Sequence, residues 1–98
     1  MYYFYVLYSL KDHQLYKGYT SEIAQRLQRH QAGKVTATKY RRPLVLIHLE
    51  NFDNRTDAMR REKEAKQADS AVALKAKFQK KGILNKEYKL NFTNPTQA

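Results

Sequence analysis

The sequence predicts an α+β fold: a small three-stranded antiparallel sheet flanked by helices, in the order β-β-α-β-α-α. Three observations carry it. The run Tyr2-Tyr-Phe-Tyr-Val-Leu-Tyr8 is joined by a short polar stretch to a second strand-like run, Leu15 to Tyr19. That second run breaks at Gly18 and feeds a segment with helical spacing of its apolar residues. A nearly continuous apolar run, Leu44 to Leu49, is then followed by two more helical stretches.

The first strand is placed at residues 2–9. Aromatic and β-branched side chains suit a pleated, half-buried surface. Alternation puts Tyr3, Tyr5 and Leu7 on one face and Phe4, Val6 and Tyr8 on the other. Ser9 to Gln14 is polar and short, as a hairpin connection is, so residues 15–19 return antiparallel. Tyr5 and Tyr16 then lie on neighbouring strands within one layer of side chains. The first helix is placed at 21–32, with Ser21 as its N-cap and Gly33 as its stop. Ile23 and Leu27 form its buried stripe. Arg26 and His30 put a guanidinium just outside that stripe and an imidazole beside it. Two phosphate-directed groups thus come close to the strand that delivers Tyr16.

Residues 33–43 form the longest connection, basic through Lys34, Lys39, Arg41 and Arg42. Tyr40 adds an aromatic face able to stack on a base. The run Leu-Val-Leu-Ile-His-Leu predicts a strand over 44–50, central and covered on both faces. His48 reads there as a hydrogen-bonded structural histidine. A second helix is expected at 56–67, capped by Thr56. Its apolar side is thin: Ala58 and Ala65, with Met59 off to one side. Glu62 falls between the two alanines by the helical angle. An ionised carboxylate on an inward stripe is costly unless paired, hydrogen-bonded or bound to a metal. Small neighbours also leave space above it. Glu64, by contrast, points outward among basic residues. A third helix is placed at 70–81, capped by Asp69 or Ser70, with Ala71, Leu74 and Phe78 on one face and lysines on the other. The domain is expected to span 1–82. Residues 83–98 are expected to be a partly disordered tail, polar from Asn85 onward apart from Tyr88, Leu90 and Phe92.

The chain has 98 residues, enough for one domain with a modest core. Nineteen Lys and Arg against nine Asp and Glu give a formal net charge of +10. Such a charge works against the compact state through self-repulsion, and nucleic acid is its natural counterpart. No amphipathic basic anchor for a membrane stands out. Cysteine is absent, which excludes disulfides and thiolate metal sites and suits a reducing compartment. No signal peptide or long apolar run is read, so a cytoplasmic protein is expected.

One ordered set of residues resembles a known family. Tyr3-Phe4-Tyr5, then Tyr16-Lys17-Gly18, then Arg26, His30 and Glu62 resemble the GIY-YIG nuclease domain over roughly residues 2–67. The likeness is greatest to small stand-alone members related to the N-terminal nuclease domain of the UvrC repair protein. In those, too, a basic segment ending Arg-Arg-Pro leads into the third strand. Tyr3 stands where the name motif has glycine, and Lys17 where it has isoleucine or valine. A late asparagine contributes in some members, and Asn91 and Asn94 are the candidates here.

The resemblance implies an endonuclease that cuts DNA phosphodiester bonds with one divalent ion, Mg²⁺ or Mn²⁺, and a role in repair or recombination. It implies Glu62 as metal ligand, Arg26 as transition-state clamp, Tyr5 and Tyr16 as the groups that place or activate water, and His30 as an assisting hydrogen-bond partner. Nucleic-acid contacts are expected from Lys17, Lys34, Lys39, Tyr40, Arg41 and Arg42. The alternatives are a binding module without catalysis, and a catalytic subunit that needs a partner protein to recognise its substrate.

Overall fold

The computed structural model describes residues 1–67 and 71–84, without the side chains of residues 71–73. The elements are β1 (Tyr2–Ser9), β2 (Leu15–Thr20), α1 (Ile23–Gln31), β3 (Leu44–Phe52), α2 (Arg55–Gln67) and α3 (Ala71–Lys80). A short 3-10 turn at Lys39–Arg41 lies in the connection before β3. The three strands form one antiparallel sheet in the order β2-β1-β3.

This order corrects one expectation. The apolar run in β3 reads as a central strand, yet β3 is an edge and β1 is the centre. Leu46 and Leu49 are 37% and 42% exposed, whereas every residue from Phe4 to Ser9 is buried. Only β1 has a hydrogen-bonded neighbour on each side and a helix layer on each face. Its alternation of large side chains feeds two cores. Phe4, Val6 and Tyr8 pack with Ala65 of α2, Leu74 and Phe78 of α3, and Leu84. Tyr5 and Leu7 pack with Leu44, Tyr16, Ile23 and Leu27. Thus α1 covers one face of the sheet, and α2 with α3 the other. His48 is structural, as expected: its Nε2 lies 2.6 Å from Glu50 Oε2 and its ring meets Phe4 and Phe78.

Helix boundaries also differ from the sequence reading at their caps. Ser21 makes no cap bond to α1, which begins after Glu22; the Glu22 N–H instead donates to Thr20 Oγ1. Its C-terminal end follows expectation. Gly33 has φ +76°, and the N–H groups of Gly33 and Lys34 bond back to the carbonyls of His30 and Arg29. That pair of bonds closes the last turn and requires the left-handed backbone glycine adopts freely. Asn54, not Thr56, caps α2: its Oδ1 accepts from Asp57 N–H at 2.9 Å, and its amide returns a bond to Asp57 Oδ2. A capping side chain must sit two or three residues before its donor, and Thr56 lies inside the helix. Ile83 and Leu84, placed in the tail by the sequence reading, pack against the core. The Asp69 or Ser70 cap, the Ala71 side chain, Tyr88, Leu90, Asn91, Phe92 and Asn94 fall outside what the structure describes.

Candidate active site

Tyr5 is the floor of the site. It projects from the middle of β1 on the α1 side and is fully buried. Its cross-strand partner is Gly18, so no side chain stands between the Tyr5 ring and the neighbouring strand. Two residues along β2, Tyr16 lies on the same face, with its ring centroid 6.3 Å from that of Tyr5. Both tyrosines therefore occupy one layer, set by strand alternation and hairpin register.

The first helix supplies two groups to the Tyr5 oxygen. Arg26 donates its Nε–H across 3.4 Å, and His30 Nε2 lies 3.0 Å away. One helical turn separates the two residues, so both reach the same atom from one face. His30 is fully buried, and its Nδ1 lies 2.7 Å from the hydroxyl of Thr38, also fully buried. Burial, assisted by the Arg26 charge, holds the His30 imidazole down to about 4, so it is neutral at physiological pH. Burial likewise raises the Tyr5 phenol above its ordinary value, opposed by the hydrogen bond from Arg26. That same bond raises the Arg26 guanidinium above its own ordinary value.

Above the floor is an open cavity of about 580 Å³. Tyr5, Tyr16, Gly18, Ser21 and Arg26 line it from the α1 side of the sheet, and Tyr2, Tyr19, Arg55 and Glu62 from the α2 side. A cavity lined from both sides of the sheet opens across its edge, here β2. Glu62 reaches it from the middle of α2, between the buried Ala58 and Ala65. Lys66, one turn on, approaches its carboxylate at 3.5 Å and is itself half exposed. A pair of that kind is weak and leaves the carboxylate available to a ligand.

Of the five core residues expected from the sequence, Tyr5, Tyr16, Arg26 and Glu62 line this cavity, and His30 sits behind it. The six residues expected to contact nucleic acid do not line it. Lys17 lies on the opposite face, opposite Val6, with its ammonium 3.2 Å from the Ala65 carbonyl. Arg41 is turned inward to Asp12 at 2.8 Å and to the Leu15 carbonyl. Arg42 bonds the carbonyls of Lys39 and Gln31 but remains exposed. Lys34 is exposed, and Tyr40 is 74% exposed with the Lys39 ammonium 4.9 Å from its ring centroid. Lys39, Tyr40 and Arg42 line a second concavity with Lys11, Gln31 and Pro43. Sequence reasoning missed Arg55, Tyr2 and Tyr19 in the first cavity. Arg55 had a signal: it stands two helical turns before Glu62, on the same side of α2.

Comparison with known proteins agrees with this arrangement. A UPF0213 protein of Pediococcus pentosaceus is 46% identical over 81 residues, covering 82% of this chain and 82% of the relative. A UPF0213 protein of Staphylococcus haemolyticus is 49% identical over 57 residues, 57% of this chain and 70% of the relative. One from Natronomonas pharaonis is 43% identical over 70 residues, 70% of this chain and 81% of the relative. No solved structure gives a significant match. A family model described as the GIY-YIG catalytic domain matches residues 1–78, a span that holds the two tyrosines, the arginine and the glutamate of the cavity, and by that match the chain belongs to the GIY-YIG family.

Proposed function

We propose that this chain is a metal-dependent endonuclease that cleaves phosphodiester bonds in DNA, acting in the cytoplasm on nicked, branched or otherwise altered structures during repair or recombination. Family membership implies nuclease activity. The observation that carries the finer reading is the convergence of Tyr5, Tyr16, Arg26 and Glu62, from four different elements, on one open cavity.

The donor chemistry of the cavity fits Mg²⁺ or Mn²⁺. Glu62 is the one carboxylate among its lining residues, which include four tyrosines. Among the described residues there is no cluster of three or more His, Cys, Asp or Glu able to cage a metal. Mg²⁺ suits such a site, because it keeps several waters and needs only one or two carboxylates beside a substrate phosphate. Glu62 would hold the ion, which when bound neutralises charge on the scissile phosphate. Arg26 spends one N–H on Tyr5 and carries further donors in a planar fork that matches phosphate oxygens. Their value is greatest as charge accumulates on those oxygens. Tyr5 and Tyr16 orient the attacking water. Tyr5 is held for that task between two nitrogen partners, and as a base it has to reach its phenolate against its own burial.

Lys34, Lys39, Tyr40 and Arg42 present charge and an aromatic face to the DNA backbone, whereas Lys17 and Arg41 serve the fold. A domain this small has little surface for reading a long sequence, which favours recognition of structure, alone or with a partner protein. The test is incubation with supercoiled plasmid and with branched DNA, with Mg²⁺ or Mn²⁺ against chelator. Cleavage that needs the ion supports the reading. Binding without cleavage under every condition leaves a nucleic-acid-binding module in its place.

A further inference from the structure

The buried chain Tyr5–His30–Thr38 has a direction that donor counting can fix. Its links are Tyr5 Oη to His30 Nε2 at 3.0 Å and His30 Nδ1 to Thr38 Oγ1 at 2.7 Å. All three residues are completely buried. With a neutral imidazole the chain holds three hydrogens: one on each hydroxyl and one on the ring. It has two internal links, so one hydrogen must be left over at an end. If the ring carries its hydrogen on Nδ1, the leftover one is on Thr38. The Thr38 hydroxyl has no partner besides His30 among the described residues and does not line the cavity. If the ring carries it on Nε2, the leftover hydrogen is on Tyr5, which does line the cavity. A buried hydroxyl hydrogen without an acceptor is unfavourable, so the second arrangement wins.

We propose that Thr38 is a positioning residue for the Tyr5 site: its hydroxyl donates to His30 Nδ1, fixes the imidazole as the Nε2–H form, and so turns that N–H onto the Tyr5 oxygen. Tyr5 then receives two N–H donors, from His30 and from Arg26, and both favour its phenolate. Its own hydrogen is the one left to face the cavity, where a water or substrate oxygen accepts it. The opposite form would make His30 the acceptor of the Tyr5 hydrogen and point that hydrogen away from the cavity. The loop before β3 thereby acquires an internal task besides its basic surface. Its backbone holds Thr38 in place, with Thr38 N–H on the Val35 carbonyl and Arg41 N–H on the Thr38 carbonyl. The loop supplies a hydroxyl, which unlike a carbonyl or a carboxylate can donate to Nδ1.

The consequence for cleavage rests on the nuclease reading, but the ring form does not, and the experiment separates them. Long-range ¹H–¹⁵N spectra of the histidine-labelled full chain near neutral pH should show His30 with its hydrogen on Nε2. A hydrogen on Nδ1 overturns the proposal whether or not the protein cuts DNA. In Thr38→Val the ring loses its donor and its populations should shift toward the Nδ1–H form, whereas Thr38→Ser should restore the Nε2–H form. Cleavage of supercoiled plasmid with Mg²⁺ should fall roughly 10- to 100-fold in Thr38→Val at unchanged DNA affinity, the size of other outer-shell losses, and return in Thr38→Ser. Wild-type cleavage in Thr38→Val with an altered ring form would overturn the positioning role. Should the wild type cut no DNA at all, the nuclease reading fails while the spectra still decide the form of His30.

Discussion

The Tyr5 hydroxyl lies directly over Gly18: a Cβ at residue 18 would come within 2.6 Å of Tyr5 Oη and 2.7 Å of Cζ. Glycine is required there by a close approach, not by an unusual backbone angle. The Tyr5 ring cannot swing aside, because it is fully buried and its hydroxyl is held by His30 and Arg26. Gly18→Ala should therefore destabilise the fold by roughly 1–3 kcal/mol, the usual range for overpacking. It should also displace the Tyr5 oxygen and lower cleavage beyond what the lost stability explains. Thermal melting beside single-turnover cleavage checks this, and a variant equal to wild type in both would refute the tight contact.

Glu62→Gln keeps the shape and hydrogen bonding of the side chain and removes its charge. Cleavage should fall by several orders of magnitude. DNA affinity should hold or rise, because a negative charge near the phosphate is gone. The Lys66 partner is half exposed and its ammonium lies 3.5 Å away, so the pair is weak and melting temperature should change little. A folded Glu62→Gln protein that cuts at the wild-type rate would end the nuclease proposal in its present form.

Arg26→Lys retains the charge but loses the planar fork and the Nε–H that bonds Tyr5. The expected result is a large drop in rate with little change in affinity, since the fork acts most strongly on charge that builds during reaction. Rate and binding falling together would mark Arg26 as a ground-state contact.

His30 gives a pH prediction with a definite sign. The folded protein holds its imidazole at about 4, against an ordinary value of 6.5. Between those values the unfolded chain takes up a proton that the folded protein refuses. The stability contributed by neutral His30 is thus present above pH 6.5 and lost as pH falls toward 4. A shift of this size corresponds to roughly 3 kcal/mol. Melting temperature measured from pH 7 to pH 4 should fall more steeply for wild type than for His30→Gln. Parallel curves would mean that His30 is not refused its proton by the fold.

Salt should weaken DNA binding steeply, because phosphate neutralisation releases counterions. With about four to six contacts from the exposed basic residues, the log–log slope on duplex DNA should be roughly −4 to −5. Removing Lys34 or Lys39 should reduce it by about one unit each, whereas Arg41→Ala should act through stability, since Arg41 anchors Asp12. A slope near zero would remove nucleic acid as the partner.

The succession of strands and helices along the chain, the two faces of β1 and the basic balance of the surface were all legible in the sequence alone. Each of these depends on local periodicity or on composition, which every segment carries by itself. The layer shared by Tyr5 and Tyr16 was legible too, because a short hairpin fixes which residues stand opposite one another. The position of Glu62 between two alanines already set it apart from the outward Glu64.

Tertiary structure alone decided the rest. An apolar run such as Leu44 to Leu49 does not reveal how many strands pair with it, and pairing made β1 central and β3 an edge. Lys17 and Arg41 read as surface cations until the Ala65 and Leu15 carbonyls and Asp12 came within reach. His30 came to resist protonation, and Thr38 gained a role, because residues 8 and 25 positions away closed around one ring. Desolvation and hydrogen-bond direction belong to groups brought together by the folded chain, so no single stretch of sequence encodes them.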